Sequence, residues 1–483
     1  MSLYEEPEIN AIVAKLKEVD EDLANLEKPQ ENRTVAKYDG IKQKLDAFPT
    51  KYDEMYLFQG DLLLQANNYT VSNQLAESVF GAVEMLNRVT PTFENENLKS
   101  FRNAFYARYE DEEVPLAVAL DSESGVGYLQ NTYSGITPLV DDIAFPVKRD
   151  NFSVTHTFPF NAMMQRKLSE ALMAGNDEIR ITDDDLVGFE SHWDDVQETI
   201  SAFVQLVDRN RFVIKSIGGS SAANLIGRFC HLDETLLEHT RQIIKKDETG
   251  SEAIYAEIVH LPESRTGNIL HRPTLRNHEI PYLAQSSLPL ESQVNIEDLM
   301  VSVRGDRVLL RSRKHNKIVV PRLTTAHNFR MNALPIYHFL CDMQNQGKRG
   351  GFGFSWGNME NVQPYLPRVA YGNAILSVAT WNFFLKELNE LNKVKNIESR
   401  VDCFLEMANR RGVADEVVLE DGDKELYLNL KNRFCVKVLL QLVKKRPMFT
   451  LKEFVFAQND SPAERDGKRF ANELLIAYYR NSN

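Results

Sequence analysis

The sequence predicts a mixed α/β (α+β) protein in which a helical N-terminal layer precedes mixed α/β subdomains with antiparallel hairpins. Three observations point to this class. Apolar residues recur with helical spacing through the first 110 residues. Proline and glycine break that period near residue 112. Further on, residues 300–323 alternate apolar and polar side chains by two, which is typical of half-buried strands.

The N-terminal part of the chain carries three amphipathic patterns. Apolar side chains follow the i, i+3, i+4, i+7 spacing between residues 7 and 27, and the spacing returns over residues 72–91 and 93–110. This spacing lines up apolar residues on one face of a helix, so we expect three helices. Residues 1–111 are therefore predicted to form a helical segment.

A change of character near residue 112 marks the next boundary. Pro115 interrupts the helical period, and Gly125 and Gly127 require loop conformations. Helices and strands then alternate, with helices predicted at 161–174 and 233–246 and strands at 212–217 and 254–261. Residues 112–295 are predicted to form a mixed α/β core.

An antiparallel meander is predicted within residues 296–330. Two turn signals, Gly305-Asp306 and His315-Asn316, divide the alternating segment 300–323 into three short runs. Because short turns join neighbouring antiparallel strands, three strands should lie side by side.

The C-terminal part, residues 331–483, is predicted to be α/β. A hairpin fits residues 417–430, where Asp421-Gly422 separates two apolar runs, and a helical pattern follows over 434–444.

Length and composition restrict the class of protein. A chain of 483 residues corresponds to roughly three domains at about 150 residues each. Its formal charge is −13, and its hydrophobic content of 43 % argues against disorder. The charged N-terminus lacks the apolar core of a signal peptide, and no apolar run is long enough to span a membrane. Four widely spaced cysteines favour reduced thiols, so we expect a cytoplasmic protein.

A glycine-serine segment follows the predicted strand at 212–217. The run Gly218-Gly219-Ser220-Ser221 could bring backbone N–H groups close to an anion. It lacks the spacing of a Walker loop and of a dinucleotide fingerprint, so an ordinary turn is favoured. Arg228, among apolar neighbours, fits either a structural ion pair or a ligand contact.

Arginines and histidines concentrate on turn-rich sequence between residues 257 and 282. Arg265, Arg272 and Arg276 could clamp a phosphate or a carboxylate, although solvated loop residues remain the alternative. The histidines have no compact ligand spacing, so we expect no metal site.

A basic strip runs along the predicted meander. Seven cations in nineteen positions form a reasonable contact for RNA, while the exposed face of an edge sheet explains them equally well. They are Arg304, Arg307, Arg311, Arg313, Lys314, Lys317 and Arg322.

An ordered set of short motifs resembles the N-terminal region of lantibiotic dehydratases, the LanB-type enzymes that modify ribosomal precursor peptides. The resemblance covers roughly residues 50–440. The motifs are Phe105-Tyr106-Ala107-Arg108-Tyr109, Val114-Pro115-Leu116 with Leu120-Asp121, Gly125-Val126-Gly127-Tyr128, Gly227-Arg228-Phe229, Ala256-Glu257-Ile258-Val259 with Leu261-Pro262, Ser264-Arg265, Gly267-Asn268, Arg272-Pro273, Glu279-Ile280-Pro281-Tyr282, Val320-Pro321-Arg322 with Ala326-His327-Asn328, and Leu366-Pro367-Arg368-Val369 with Trp381.

The resemblance implies part of a glutamylation domain. Such enzymes transfer glutamate from glutamyl-tRNA to Ser or Thr of a precursor peptide, and an elimination domain in the same or a separate chain then leaves dehydroamino acids. The co-substrate is glutamyl-tRNA, and no other cofactor is expected. Acyl transfer needs donors near a developing oxyanion and a group that takes the hydroxyl proton. By the matching motifs, the candidate catalytic residues are Asp121, Arg265 and Arg272, followed by Arg228, Arg276 and Arg322.

Departures from the family pattern leave alternatives open. The Thr-Pro-Phe-Gly motif, the leader-binding winged helix and the elimination domain are not recognisable, so we expect a partial chain that carries out no dehydration alone. A homodimer would be in keeping with the family. The alternatives are an aminoacyl-tRNA-dependent peptide ligase of the same fold and a non-catalytic scaffold or binding protein.

Overall fold

A computed structural model describes residues 7–28, 34–63, 70–129, 158–262, 266–330, 333–422, 424–456 and 463–480. The helices are α1 Pro7–Glu27, α2 Val35–Leu45, α3 Asn73–Val89, α4 Glu96–Tyr109, α5 Leu116–Ala119, α6 Pro159–Ala174, α7 Glu234–Asp247, α8 Gly267–Leu270, α9 Pro335–Met343, α10 Leu385–Lys393, α11 Ile397–Arg410 and α12 Arg433–Val443. None of the helices in these ranges is both long and apolar enough to cross a membrane.

The strands are short and lie between residues 114 and 479 in the described ranges. They are β1 Val114–Pro115, β2 Glu178–Ile181, β3 Thr199–Leu206, β4 Phe212–Gly218, β5 Ile254–Val259, β6 His278–Pro281, β7 Leu299–Arg304, β8 Arg307–Ser312, β9 Lys317–Arg322, β10 Gly351–Phe352, β11 Tyr365–Leu366, β12 Arg368–Tyr371, β13 Ala374–Ser377, β14 Thr380–Phe384, β15 Glu416–Asp421, β16 Lys424–Asn429, β17 Met448–Glu453, β18 Glu464–Arg465, β19 Lys468–Arg469 and β20 Leu474–Tyr479.

The chain divides into two compact units, residues 1–62 and 63–483. In the first unit, α1 and α2 bury Val19, Leu26 and Ile41 in a small apolar cluster. The Lys44 ammonium lies 2.7 Å from the Asp22 carboxylate and ties the two helices together.

The second unit begins with a seven-stranded sheet, here called the first sheet. Its strand order is β2-β12-β13-β4-β3-β20, and β10 also pairs with β4. Helix α3 starts at the Ser72 cap, whose side chain accepts from Leu75 N, and its periodic apolar face includes Val79 and Leu86. That face packs with α6 residues on the apolar surface of the first sheet. A helix with one apolar stripe needs such a surface to be stable.

The C-terminal strand completes the first sheet. Strand β20 runs antiparallel to β3, with Ile476 opposite Ala202. Just before β20, the buried Asn472 side chain accepts from Leu206 N at 2.6 Å and donates to Leu206 O at 3.1 Å. One side chain thus extends the ladder by two hydrogen bonds.

The second sheet has the strand order β1-β7-β8-β9-β5-β6. The predicted meander forms β7, β8 and β9, and β5 then lies parallel to both β9 and β6. Helices α4 and α9 bury their aromatic residues against this sheet, Phe101 and Phe105 from the first and Phe339 from the second.

The third sheet, β11-β14-β17-β15-β16, is covered by α10, α11 and α12. It contains the predicted hairpin as β15 and β16, joined at Gly422, which has a φ of +66°. Phe383 stacks on Phe449 with ring centroids 4.6 Å apart, which fixes β14 against β17.

The mixed α/β class and the antiparallel hairpins are confirmed. In the described part of the first 110 residues the elements are helical as predicted, and α3 and α4 pack on different sheets. Each apolar face is complementary to its own sheet surface. The four-part division at 111, 295 and 330 stays a prediction, and β1 at residues 114–115 pairs with Met300 and Val301 of β7.

Candidate functional site

A cleft of about 340 Å³ lies between the first and second sheets. One wall is the segment that follows β4, from Gly218 to Leu225, and the other is the segment that follows β9, from Leu323 to Phe329. The described residues that line it include serine, threonine, asparagine, glutamine and one histidine, His327, but no lysine, arginine or carboxylate. The cleft therefore offers hydrogen bonds without formal charge.

The two glycines at the start of the first wall allow a close approach of backbones. Gly218 has a φ of +126°, and a Cβ there would lie 2.4 Å from Gly351 Cα and 2.5 Å from Gly350 O. Gly219 N donates to Gly350 O at 2.9 Å. One N–H of the postulated anion site is thus already used, and the turn interpretation is favoured.

Gln344 joins the two walls at the floor of the cleft. Its Oε1 accepts from Ser220 Oγ at 2.9 Å and from Leu323 N at 2.8 Å. Its backbone oxygen accepts from Arg322 Nη1 at 3.0 Å. Because Gln344 is buried, these bonds fix the separation of the walls.

A buried ionic cluster lies behind the cleft. Arg276, whose side chain is fully buried, pairs with Asp247 at 3.1 Å, Glu248 at 2.6 Å and Glu257 at 3.2 Å. Arg272 also reaches Glu257, at 3.1 Å. Burial opposes the charge of Arg276, but Glu257, Asp247 and Glu248 together hold its pKa above the ordinary value.

The carboxylates of this cluster hold both walls of the cleft. Glu257 accepts from Thr324 N at 2.6 Å and from Thr324 Oγ1 at 2.8 Å. Asp247 accepts from Thr199 Oγ1 at 2.5 Å, and Thr199 Oγ1 accepts in turn from Ala222 N at 2.9 Å. The cluster therefore positions the segments after β9 and β4 together.

The structure brings three predicted arginines, Arg272, Arg276 and Arg322, to this region, but none lines the cleft. Arg322 is 5 % exposed, so it does not lie on the surface with the rest of the basic strip. Burial and the nearby Arg276 lower the pKa of Arg322. The catalytic roles expected for these arginines stay predictions, and their observed contacts are internal.

Asp121 lies on a different loop. Its carboxylate accepts from Glu123 N at 3.0 Å, Ser124 N at 2.6 Å and Ser124 Oγ at 2.8 Å. These bonds, the one from Ser124 N first, lower the pKa of Asp121, so its charged form stabilises the turn.

The remaining catalytic candidates are Arg228 and Arg265. The Arg228 guanidinium lies 4.6 Å from the centre of the Phe229 ring. Arg265 is outside the described residues.

Most cations of the basic strip have partners on this chain. Arg304 pairs with Asp111 at 3.3 Å, and Arg311 pairs with Glu113 through Nε at 2.7 Å. Arg313 and Lys314 donate to the backbone oxygens of Glu297 and Leu290. Within the described ranges, Arg307 and Lys317 form no ion pair and are exposed.

Sequence reasoning did not single out His327 or Tyr337 as site residues. His327 belongs to the Ala326-His327-Asn328 motif and follows a strand end, where side chains often reach a site. Its position after a strand end is the sequence signal that could have identified His327 as a site residue. Tyr337 lies in the apolar face of α9, so the sequence gave no signal that it belongs to a site.

Residues 2–439 match the family described as "Lantibiotic dehydratase, N terminus". The match covers most of the chain, so the protein belongs to the lantibiotic dehydratase family. The resemblance seen in the sequence motifs is confirmed.

Named relatives add detail to this assignment. The chain is 21 % identical over 404 residues to the subtilin biosynthesis protein SpaB of Bacillus subtilis, covering 80 % of this chain and 38 % of SpaB. The tRNA-dependent lantibiotic dehydratase MibB from Microbispora sp. 107891 shares the fold, with a TM-score of 0.72 and 18 % identity, over 93 % of this chain and 43 % of MibB.

A second solved structure with this fold is TbtB, the glutamylation domain from thiomuracin biosynthesis, bound to 5′-phosphodesmethylglutamycin. The TM-score is 0.53 and the identity 17 %, over 84 % of this chain and 50 % of that structure. The chain thus spans about two fifths of SpaB and MibB and half of TbtB.

Proposed function

We propose that this chain transfers glutamate from glutamyl-tRNA to Ser or Thr hydroxyls of a ribosomal precursor peptide. The observation that carries the proposal is membership of the lantibiotic dehydratase family over residues 2–439. The descriptions of MibB as tRNA dependent and of TbtB as a glutamylation domain support the same reaction.

The chemistry of the cleft suits this reaction. An aminoacyl ester and a hydroxyl group are both uncharged, and a neutral, hydrogen-bonding lining can hold them without burying an unpaired charge. Excluding water from such a site also protects the ester from hydrolysis. The polyanionic body of the tRNA then belongs on the outer surface.

The proposal includes several partners. They are glutamyl-tRNA, the precursor peptide, an elimination domain that acts on the glutamylated product, and a second copy of the chain in a homodimer. Because charged tRNA and newly made peptide meet in the cytoplasm, we place the reaction there.

Glutamate transfer tests the proposal directly. Labelled glutamyl-tRNA and precursor peptide are incubated with this chain and, in parallel, with the full-length product of the same gene. We expect label on the peptide that hydroxylamine releases, because hydroxylamine cleaves esters and spares amides. A hydroxylamine-resistant label would instead identify a peptide ligase. No label with either protein, together with no tRNA binding, would make the chain a scaffold.

The basic strip provides a second test, on RNA affinity. Arg307 and Lys317 are its exposed members without ion pairs in the described ranges, so their charge is available to phosphates. We expect Arg307→Ala with Lys317→Ala to weaken tRNA binding and to reduce the slope of log affinity against log salt by about 1–2.

The matched control for this test is Arg311→Ala, since Glu113 already neutralises Arg311. Filter binding at several salt concentrations measures all three proteins. An unchanged slope in the double variant would remove this strip from the tRNA interface.

A further inference from the structure

A second groove, of about 400 Å³, lies next to the cleft and is here called the side groove. Residues 92–95, between α3 and α4, form one wall, and Asp306 and Arg307, at the turn between β7 and β8, form another. Residues 345–348, which follow α9, form the third wall. Asn345 lines both the side groove and the cleft, so the two meet at this residue.

Phe93 presents an aromatic ring in the side groove. It is 68 % exposed, although the loop that carries it is anchored on both sides. Before it, Thr90 O accepts from Arg349 Nη1 at 2.9 Å, and next to it Thr92 Oγ1 donates to the Asp195 carboxylate at 2.6 Å. An exposed ring on a fixed loop is a surface on which a nucleic-acid base can stack.

Arg307 and Lys348 bring positive charge to the side groove from two of its walls. Arg307 lies against Gly347, where a Cβ would be 3.3 Å from Arg307 Nη2. Lys348 Nζ donates to Val196 O at 2.9 Å and lies 3.9 Å from the Glu198 carboxylate. Burial lowers the pKa of Lys348, Glu198 opposes this change, and Arg307 is among the cations that add to it. An anion between Arg307 and Lys348 would relieve their repulsion.

The remaining charges of the side groove nearly balance. Arg102 pairs with Glu94 at 2.6 Å and donates to Asp306 O at 2.8 Å. The Asp306 carboxylate is exposed and forms no ion pair within the described ranges. Three cations therefore face two carboxylates. This small excess suits a single phosphate group, whereas a duplex with two phosphate backbones needs a broad basic surface.

Asn345 joins the side groove to the cleft through amide groups of fixed orientation. Gln197 Nε2 donates to Gln344 O at 2.9 Å and to Asn345 Oδ1 at 3.0 Å. Because a backbone oxygen can only accept, the nitrogen of Gln197 faces both partners, and Asn345 turns its oxygen toward Gln197. The Asn345 Nδ2 lies on the side of Gly350 in the cleft, 3.9 Å from the place of a Cβ. A hydrogen-bond donor therefore stands where the side groove and the cleft meet.

We propose that the side groove binds the single-stranded 3′ end of glutamyl-tRNA, with a base stacked on Phe93 and a phosphate held by Arg307 and Lys348. This inference rests on the proposed function, with the aminoacyl ester in the cleft. In an aminoacyl-tRNA the ester is on the last ribose, so the preceding nucleotides leave the cleft along an adjacent surface. The side groove is adjacent, and its aromatic ring, cations and amides are typical of sites for single-stranded nucleic acids.

A tRNA that lacks its 3′ end tests this assignment. A 3′ exonuclease removes the single-stranded end, and filter binding compares intact and trimmed tRNA, both without the amino acid, on this chain and on the full-length product of the same gene. Phe93→Leu keeps an apolar side chain but removes the ring. We expect it to weaken the binding of intact tRNA by about 5- to 100-fold, because the stacked base is lost. Its affinity for trimmed tRNA should stay within about twofold of the original.

Three further variants sharpen the test. Phe93→Tyr keeps the ring and should bind both RNAs as before. Phe434→Leu is the matched control, because Phe434 is 70 % exposed but lies on α12 at the third sheet, and it should change neither affinity. Asp306→Asn removes the carboxylate without an ion pair from the side groove, so intact tRNA should bind about two- to fivefold more tightly at low salt.

Each possible result bears on the assignment. If Phe93→Leu folds, as judged by circular dichroism, and binds intact tRNA at the original affinity, the side groove does not hold the 3′ end, and the proposed function stands while glutamate transfer persists. If intact and trimmed tRNA lose affinity equally, Phe93 contacts the body of the tRNA and the assignment is wrong. If only the affinity for the precursor peptide falls, the side groove holds the peptide.

Failure of the proposed function has a separate signature. If neither the unsubstituted chain nor the full-length protein binds tRNA or transfers glutamate, the proposed function fails and this inference with it.

Discussion

At the scale of single residues, three of the arginines expected to touch substrate, Arg272, Arg276 and Arg322, make their contacts inside the protein. Arg276 contacts three carboxylates, and two of these carboxylates hold the opposite walls of the cleft through Thr324 and Thr199. A buried cation with several partners is costly to remove, because the carboxylates stay behind without compensation. Arg276 therefore supports the site from behind.

Replacing Arg276 by Met tests this support. The substitution keeps the volume but leaves Asp247 and Glu257 buried without their cation. We expect the free energy of unfolding to fall by about 3–5 kcal/mol, measured by urea denaturation.

The control for Arg276→Met is Arg304→Met, whose pair with Asp111 is solvent-exposed. Its effect should be about 1 kcal/mol or less. If the two variants lose equal stability, the buried cluster does not brace the cleft as described.

At the scale of elements, the end of the chain is joined to the first sheet by more than strand pairing. Asn472 makes two hydrogen bonds with the backbone of Leu206, at the end of β3, and all four groups are buried. The side chain therefore determines where β20 begins.

We expect Asn472→Ala to destabilise the protein by about 1–3 kcal/mol, because the Leu206 N–H and C=O lose their partners in a buried place. Hydrogen exchange should show the loss at β3 and β20 first. The neighbouring exposed Glu473→Ala is the control and should change stability by less than about 0.5 kcal/mol. Equal exchange in both variants would mean that strand pairing alone fixes β20.

The sequence predicted features that depend on neighbouring residues, but it did not predict contacts between residues that are far apart in the chain. The helices that were predicted, the meander and the hairpin at 417–430 follow from spacing and turn residues, which act over a few positions. Helices α2, α9, α10 and α11 were not predicted. The pairing of β1 with β7 joins residues 114 and 301, and no local pattern contains it. Likewise, periodicity predicted α3 and α4 but not which sheet each would cover.

The candidate site was predicted only in part for a similar reason. Arg276 and Arg304 are the same residue type on turn-rich sequence, yet one is fully buried and the other half-exposed. Burial depends on tertiary contacts, which the sequence pattern does not state. His327 was within a recognised motif, but its contact with Tyr337 appears only when α9 packs beneath it.

At the scale of the whole molecule, two buried histidines, His260 and His338, and the half-buried His278 link stability to pH. Burial lowers the pKa of His260, His278 and His338 below the ordinary 6.5. For His278 the nearby His315, Lys314 and Lys317 lower it further, and for His338 Asp342 opposes the change. In the unfolded chain these histidines titrate normally.

Whether stability rises or falls with pH depends on how many protons the unfolded and the folded state each bind. Just below pH 6.5 the unfolded state binds more protons than the folded state, so stability falls as the pH falls. We expect a loss of up to about 1.4 kcal/mol per histidine per pH unit, measured by urea denaturation between about pH 7.5 and pH 5. The carboxylates with lowered pKa, such as Asp185, change the stability only at lower pH.

A matched pair of variants checks the source of this dependence. His338→Gln should make stability less dependent on pH, whereas His239→Gln, at an exposed position, should leave the dependence unchanged. Identical pH dependence in all three proteins would assign the effect to other groups.

The position of β20 has a consequence for how the protein is made. The contact between Leu206 and Asn472 spans 266 residues, so β3 leaves the ribosome long before its neighbour exists. At about 5–20 residues per second, that interval is roughly 10–50 s. Throughout it, the nascent chain exposes a strand edge that other chains can pair with. The first sheet therefore reaches its full strand order only after residues 474–479 have been synthesised, and until then this edge is open to pairing with other chains.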